Sequence, residues 1–75
     1  MLRREHNFKA GDLVTVARGV YYGMNEPLAD RGVGIIVSEQ PDDEEACGNH
    51  YNSCVCVLLG GDRIDIHHAN LERVK

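Results

Sequence analysis

CVCVLLGGDRIDI, running from Cys54 to Ile66, decides the fold. Before the glycine pair, Val55, Val57 and Leu59 alternate with Cys54, Cys56 and Leu58. After it, Ile64 and Ile66 alternate with Asp65. A period of two on both sides of Gly60 and Gly61 is the pattern of a tight antiparallel hairpin, because short hairpin turns need positive φ angles that glycine adopts without steric cost. The stretch predicts two strands, Ser53 to Leu59 and Arg63 to His67.

Beyond the hairpin, His68, Ala69 and Asn70 predict one turn of 3₁₀ helix, and Leu71 to Lys75 a last short strand. Before it, Gln40 to Asn52 is polar and carries the acidic run Asp42, Asp43, Glu44 and Glu45, which predicts a solvated hairpin loop. Gly32 to Glu39 reads GVGIIVSE. There Val33, Ile35 and Val37 make one wholly apolar face, Gly34, Ile36 and Ser38 make a partly apolar one, and the glycines permit bending. From Gly19 to Arg31, the residues Gly19, Gly23, Asn25 and Pro27 punctuate any regular helix and predict a long surface loop. Gly11 and Asp12 open the β-branched run Leu13 to Val16, the first strand. Residues 1–10 show no sustained period and read as an N-terminal arm, with Leu2 and Phe8 as anchors and its end packed on the domain of residues 11–75.

This order resembles that of SH3-like barrels. The residues that carry the likeness are GDLVTV at Gly11 to Val16, GVGIIV at Gly32 to Val37, CVCVLLGGDRIDI at Cys54 to Ile66 and NLERV at Asn70 to Val74, about two thirds of the chain. The resemblance implies an all-β fold, a small five-stranded SH3-like barrel with a 3₁₀ turn before the last strand. It is to the small barrel proteins that recur in bacteriophages and in bacterial nucleic-acid and ribosome-associated modules, the KOW-type ones included. A KOW-like nucleic-acid binder offers basic loops where this chain has Asp42 to Glu45, and a peptide-binding SH3 groove needs an ALYDY-type motif and a tryptophan, neither of which is present.

The 75 residues allow one domain with one modest core, of the size that often gains stability from a partner subunit. A net charge of −4 argues against binding that depends on phosphate neutralisation, since Lys and Arg gather only at Arg3, Arg4 and Lys9. No window is long and apolar enough for a membrane span, and MLRREHNFKA lacks the apolar region of a secretory signal. Cys47, Cys54 and Cys56 are an odd number without the spacing of a disulfide framework, which fits free thiols in a reducing compartment. The expected location is cytoplasmic, the host cytoplasm or the virion if the chain is phage-encoded.

Cys47, His50, Cys54 and Cys56 offer four zinc-type ligands within ten residues. Their spacing departs from paired Cys-x-x-Cys knuckles, and Cys54 and Cys56 point the same way along one strand about 7 Å apart. They read more simply as small apolar strand residues, so neither metal nor cofactor is expected. His67 and His68 would face opposite sides, with one capping or stacking near the 3₁₀ turn. Cys47, His50 and Asp43 are formally a nucleophile, base and acid, but nothing places them on a rigid turn with an oxyanion hole. No catalytic residues are therefore assigned.

The recognition surface is expected on the loop from Gly19 to Arg31, where Tyr21, Tyr22 and Met24 are apolar residues on a surface segment. Glu26 and Asp30 lie nearby, and Tyr51 ends the next loop. The competing reading is that some of these rings fold back to cover an open end of the barrel. Arg3 and Arg4 of one copy could also meet the acidic run of the next. The leading expectation is a non-catalytic interaction or structural module with a protein partner, in a larger assembly or homo-oligomer such as a phage virion, and with neither membrane nor nucleic acid as partner. The alternatives are a nucleic-acid or ribosome-associated SH3-like module, and an acidic inhibitor of a host enzyme.

Overall fold

The computed structural model describes residues 6–74, apart from the side chains of Glu44, Ala46 and His50. The chain is all-β, as expected. Its strands are β1 (Leu13–Val16), β2 (Tyr21–Tyr22), β3 (Glu26–Pro27), β4 (Gly34–Ser38), β5 (Cys54–Leu59), β6 (Asp62–His67) and β7 (Leu71–Arg73), with one helical turn, α1 (Glu44–Cys47), and 3₁₀ turns at Leu28–Arg31, Gly48–Ser53 and His68–Asn70. Five strands form one antiparallel sheet in the order β6-β5-β4-β1-β7, and β2 pairs with β3 in a separate ribbon.

The sheet is not closed into a barrel among the described residues. Strands β6 and β7 are its two edges, and β7, only three residues long, pairs with β1 alone. The sheet is nonetheless curled. Only His68–Asn70 separates β6 from β7, a reach of roughly 14 Å at full extension. Five flat strands would set their edges roughly 19 Å apart.

The β5–β6 hairpin has the register read from its alternation, with Val55 opposite Ile66, Val57 opposite Ile64 and Leu59 opposite Asp62. Gly60 and Gly61 make the turn at φ +58° and +89°, angles that a side chain would strain. The inward residues of this hairpin join Val14 and Val16 of β1, Ile36 of β4, Leu28 and Phe8 in a single core. Phe8 is thus the anchor that ties the end of the arm down, and Arg73 lies over its ring at 4.5 Å.

Strand β4 turns the other way from its most apolar face. Gly34 and Ile36 face the core, while Val33 and Ile35 are exposed. The reason is space. A Cβ on Gly34 would lie 2.8 Å from Val57 Cγ1 and 3.0 Å from the Leu58 carbonyl oxygen, so β4 can approach β5 only with a glycine facing in. The register then shifts between Ile36 and Ser38, a bulge that leaves Val37 unpaired and sets Ser38 opposite Cys56.

The two expected loops carry structure of their own. Within Gly19 to Arg31 the chain forms the β2–β3 hairpin and a 3₁₀ turn, with the Leu28 amide donating to the Val20 carbonyl at 2.9 Å. Leu28 is buried in the core, which roots that turn. The segment from Gln40 to Asn52 is exposed at Gln40, Asp42, Asp43, Glu45, Gly48 and Asn49, as expected of a solvated connection, but it is not a plain hairpin loop. It holds α1 and the second 3₁₀ turn, and it folds over the outer face of β5, where Cys54 and Cys56 are buried.

Candidate functional site

The β2–β3 hairpin presents the residues expected to bind a partner. Tyr21 is 56% exposed, Tyr22 45% and Met24, at the tip, 92%. Strands of two residues have little stability of their own, so the hairpin needs external support. Arg31 supplies it. Its Nε donates to Glu26 Oε2, and its Nη1 donates to the Leu59 carbonyl oxygen at 2.9 Å and to Asp62 Oδ2 at 2.7 Å. The guanidinium also lies over the Tyr22 ring, 5.1 Å from its centroid. One side chain therefore joins the hairpin to the β5–β6 turn. Arg31 holds Glu26 below the ordinary carboxylate value, which keeps the pair charged.

Glu26 is thus committed to the brace. Asp30 is exposed and lines a groove of about 330 Å³ beside the hairpin, together with Arg18, Gly19, Tyr21, Pro27 and Ala29. Tyr51 lies elsewhere, half-buried in the 3₁₀ turn that leads into β5. Five of the six expected residues therefore fall on the hairpin or the turn that follows it, and Tyr51 does not. Neither Arg31 nor Asp62 was among the expected residues, because their pairing spans 31 positions and leaves no mark on local periodicity.

A second cluster lies under the 40–53 segment. Asp42 accepts from Arg63, Nε to Oδ2 and Nη2 to Oδ1, both at 2.9 Å, and from the Cys56 thiol at 3.3 Å. Asp65 accepts from the backbone amides of Asp42 at 2.7 Å and Asp43 at 2.9 Å. Asp42, Cys56 and Asp65 bring donor atoms within 4.8 Å of one another. The oxygens of both carboxylates already accept from the guanidinium or from backbone amides, so the protein's own donors answer the charge of the cluster.

The four-ligand set read from the sequence divides. Cys47 lies beside Cys54, Cys56 turns to Asp42, and the His50 side chain is outside the described residues. Burial pushes the Cys47 thiol up to about 12 and the Cys56 thiol up to about 11, with the Cys54 thiol and the Asp42 carboxylate respectively as the next causes. Both stay protonated near neutrality, the opposite of what a nucleophilic cysteine needs.

The His67 and His68 rings stack at 4.8 Å, and His68 lies 6.0 Å from His6. His67 Nδ1 accepts from the Ala69 amide and caps the last 3₁₀ turn, as one of the two was expected to do. His6 accepts from the Phe8 amide at Nδ1, and its Nε2 is 3.3 Å from the Glu39 carbonyl oxygen. Arg3 and Arg4, expected to meet the acidic run of another copy, lie outside the described residues. No helix of the described residues is long and apolar enough to cross a membrane.

No family model, curated protein or solved structure matches the chain.

Proposed function

We propose that this chain is a non-catalytic protein-binding module of the SH3-like kind, which takes its partner on the β2–β3 hairpin and the groove beside it. The observation that carries this is the exposure of Met24 and Tyr21 on a hairpin braced by Arg31. A mobile loop with these residues would lose conformational entropy on binding, whereas a braced one is already ordered. Tyrosine offers large contact area at low entropic cost, and methionine adapts its shape to an apolar pocket. The strand order, the curl of the sheet and the 3₁₀ turn before β7 support the SH3-like reading. A small module that presents one preorganised apolar tip suits attachment to a larger assembly, and a phage virion is the assembly this reading favours.

Nucleic acid is a poorer fit to the described surface. Arg31, Arg63 and Arg73 are each ion-paired with a carboxylate, so phosphate would have to compete for them.

The test is site-specific photo-crosslinking in the cells that produce the protein, with a photoreactive residue at Met24 and, for comparison, at Ala10. A single protein adduct at Met24, absent at Ala10 and diminished by Tyr21→Ala, is expected. Equal labelling at the two positions would overturn the reading.

A further inference from the structure

The two faces of the β2–β3 hairpin have different surroundings. Tyr22 stands opposite Glu26 in the ribbon, and both meet Arg31. Tyr21 stands opposite Pro27. Side chains alternate along a strand, so this second pair lies on the other face. There it forms one wall of the groove of about 330 Å³ that Arg18, Gly19, Ala29 and Asp30 complete. Arg18 follows β1, and Asp30 belongs to the 3₁₀ turn that Leu28 roots in the core.

The charges of the groove differ from those elsewhere on the described surface. Arg31, Arg63 and Arg73 are each paired with a carboxylate, which occupies Asp12, Glu26, Asp42 and Asp62 in turn. Arg18 and Asp30 are both exposed, and neither side chain has an ion pair or hydrogen bond among the described residues. They line one groove and do not bridge each other.

We propose that the groove takes a short segment of a partner protein that offers an acidic, a basic and an apolar side chain together. The acid meets Arg18, the base meets Asp30, and the apolar side chain lies on the wall of Tyr21 and Pro27. This rests on the reading of the hairpin as the binding surface and adds the chemistry of what it binds. Size favours a peptide segment, since the groove is at the small end of the range for ligand pockets. Charge favours a segment of mixed sign. An occupant of one sign would be attracted by one wall and repelled by the other, and a phosphate backbone would meet Asp30. The Arg18 guanidinium is open to a carboxylate in the bidentate geometry that fixes orientation as well as distance. The rigid Tyr21 ring covers an apolar side chain at low entropic cost.

The test is the photo-crosslinking at Met24 in the producing cells, repeated with charge variants of the full chain. Arg18→Glu and Asp30→Lys should each reduce the partner adduct roughly fivefold or more. Both should leave the circular dichroism spectrum unchanged, because neither side chain bonds to the rest of the described chain. Arg18→Lys, which keeps the charge, should retain most of the adduct. More adduct with Asp30→Lys would mean a purely acidic occupant, more with Arg18→Glu a purely basic one, and either overturns the proposal. A full adduct in both reversals also overturns it while leaving the hairpin as the binding surface. Loss of the Met24-specific adduct from the parent chain itself would instead be the failure of the binding reading, and the proposal would fall with it.

Discussion

Arg63 clasps Asp42 through two parallel hydrogen bonds, each 2.9 Å long, and so fastens a loop to the outer face of a strand 21 residues away. The fork geometry of guanidinium on carboxylate fixes the approach of the loop as well as its distance. Asp65 adds two acceptor bonds to the loop backbone, and the Cys56 thiol donates to Asp42 from beneath. Sequestration of the thiols thus depends on this clasp. With Arg63→Gln the loop should open more often, and alkylation of Cys54 and Cys56 at neutral pH should accelerate by roughly tenfold, since reagents reach buried thiols through such local openings. A time course of alkylation read by peptide mass spectrometry measures it. Unchanged rates would mean that the loop is held by its packing alone.

Gly34 is where β4 and β5 come closest. The added methyl of Gly34→Ala would meet Val57 Cγ1, the Leu58 carbonyl oxygen and Leu59 Cδ1 at 3.0 Å or less. One of these atoms is backbone inside a sheet, so the strands must separate. Overpacking of this kind costs about 1 to 3 kcal/mol. The midpoint of urea unfolding should fall with its slope unchanged, the signature of lost stability without altered compactness. A variant as stable as the parent would show that the sheet adjusts at no cost.

The same glycine shows how far the sequence could be read. Local patterns located β1 from its β-branched run, the β5–β6 hairpin from its alternation and the final 3₁₀ turn from its place between strands, because each depends on neighbours within a few residues. Alternation made the Val33, Ile35 and Val37 face of β4 the wholly apolar one, yet the chain buries the face of Gly34 and Ile36. The choice was made by Val57 and Leu59, more than twenty residues away, and by the bulge at Val37. The β2–β3 hairpin escaped notice because two-residue strands have no measurable period. Its exposed tyrosines and methionine were legible as a surface from their position between glycines. The Arg31 brace was not, since ion pairs across 31 residues leave no local pattern. The exposed apolar side chains of the outer face have the same character. Leu13, Ile35 and Leu58 stand in plain view in the sequence, but only the register makes them one surface.

Acid should loosen the devices that hold the two loops before it affects the core. Asp12, Glu26 and Asp42 each titrate below their ordinary values in the folded chain. The Lys9 amide is the main cause for Asp12, Arg31 for Glu26 and Arg63 for Asp42, with the Cys56 thiol second. A carboxylate whose folded value is depressed binds fewer protons folded than unfolded near its ordinary pKa. It therefore contributes stability that is fully present above that value and is lost as pH falls through the folded one. The carboxylates' contribution to the thermal midpoint should be intact above about pH 5 and should decline below about pH 4, where ordinary carboxylates protonate. All three groups are solvent-accessible, so added salt should shrink the decline by screening the pairs. In Glu26→Gln combined with Asp42→Asn the midpoint at pH 7 should be lower and the acid limb shallower, so that the two curves converge toward pH 2.5. Melting curves across this range decide the matter. Parallel curves, with the same separation at pH 2.5 as at pH 7, would mean that the substitutions act through packing and that these ion pairs do not couple stability to pH.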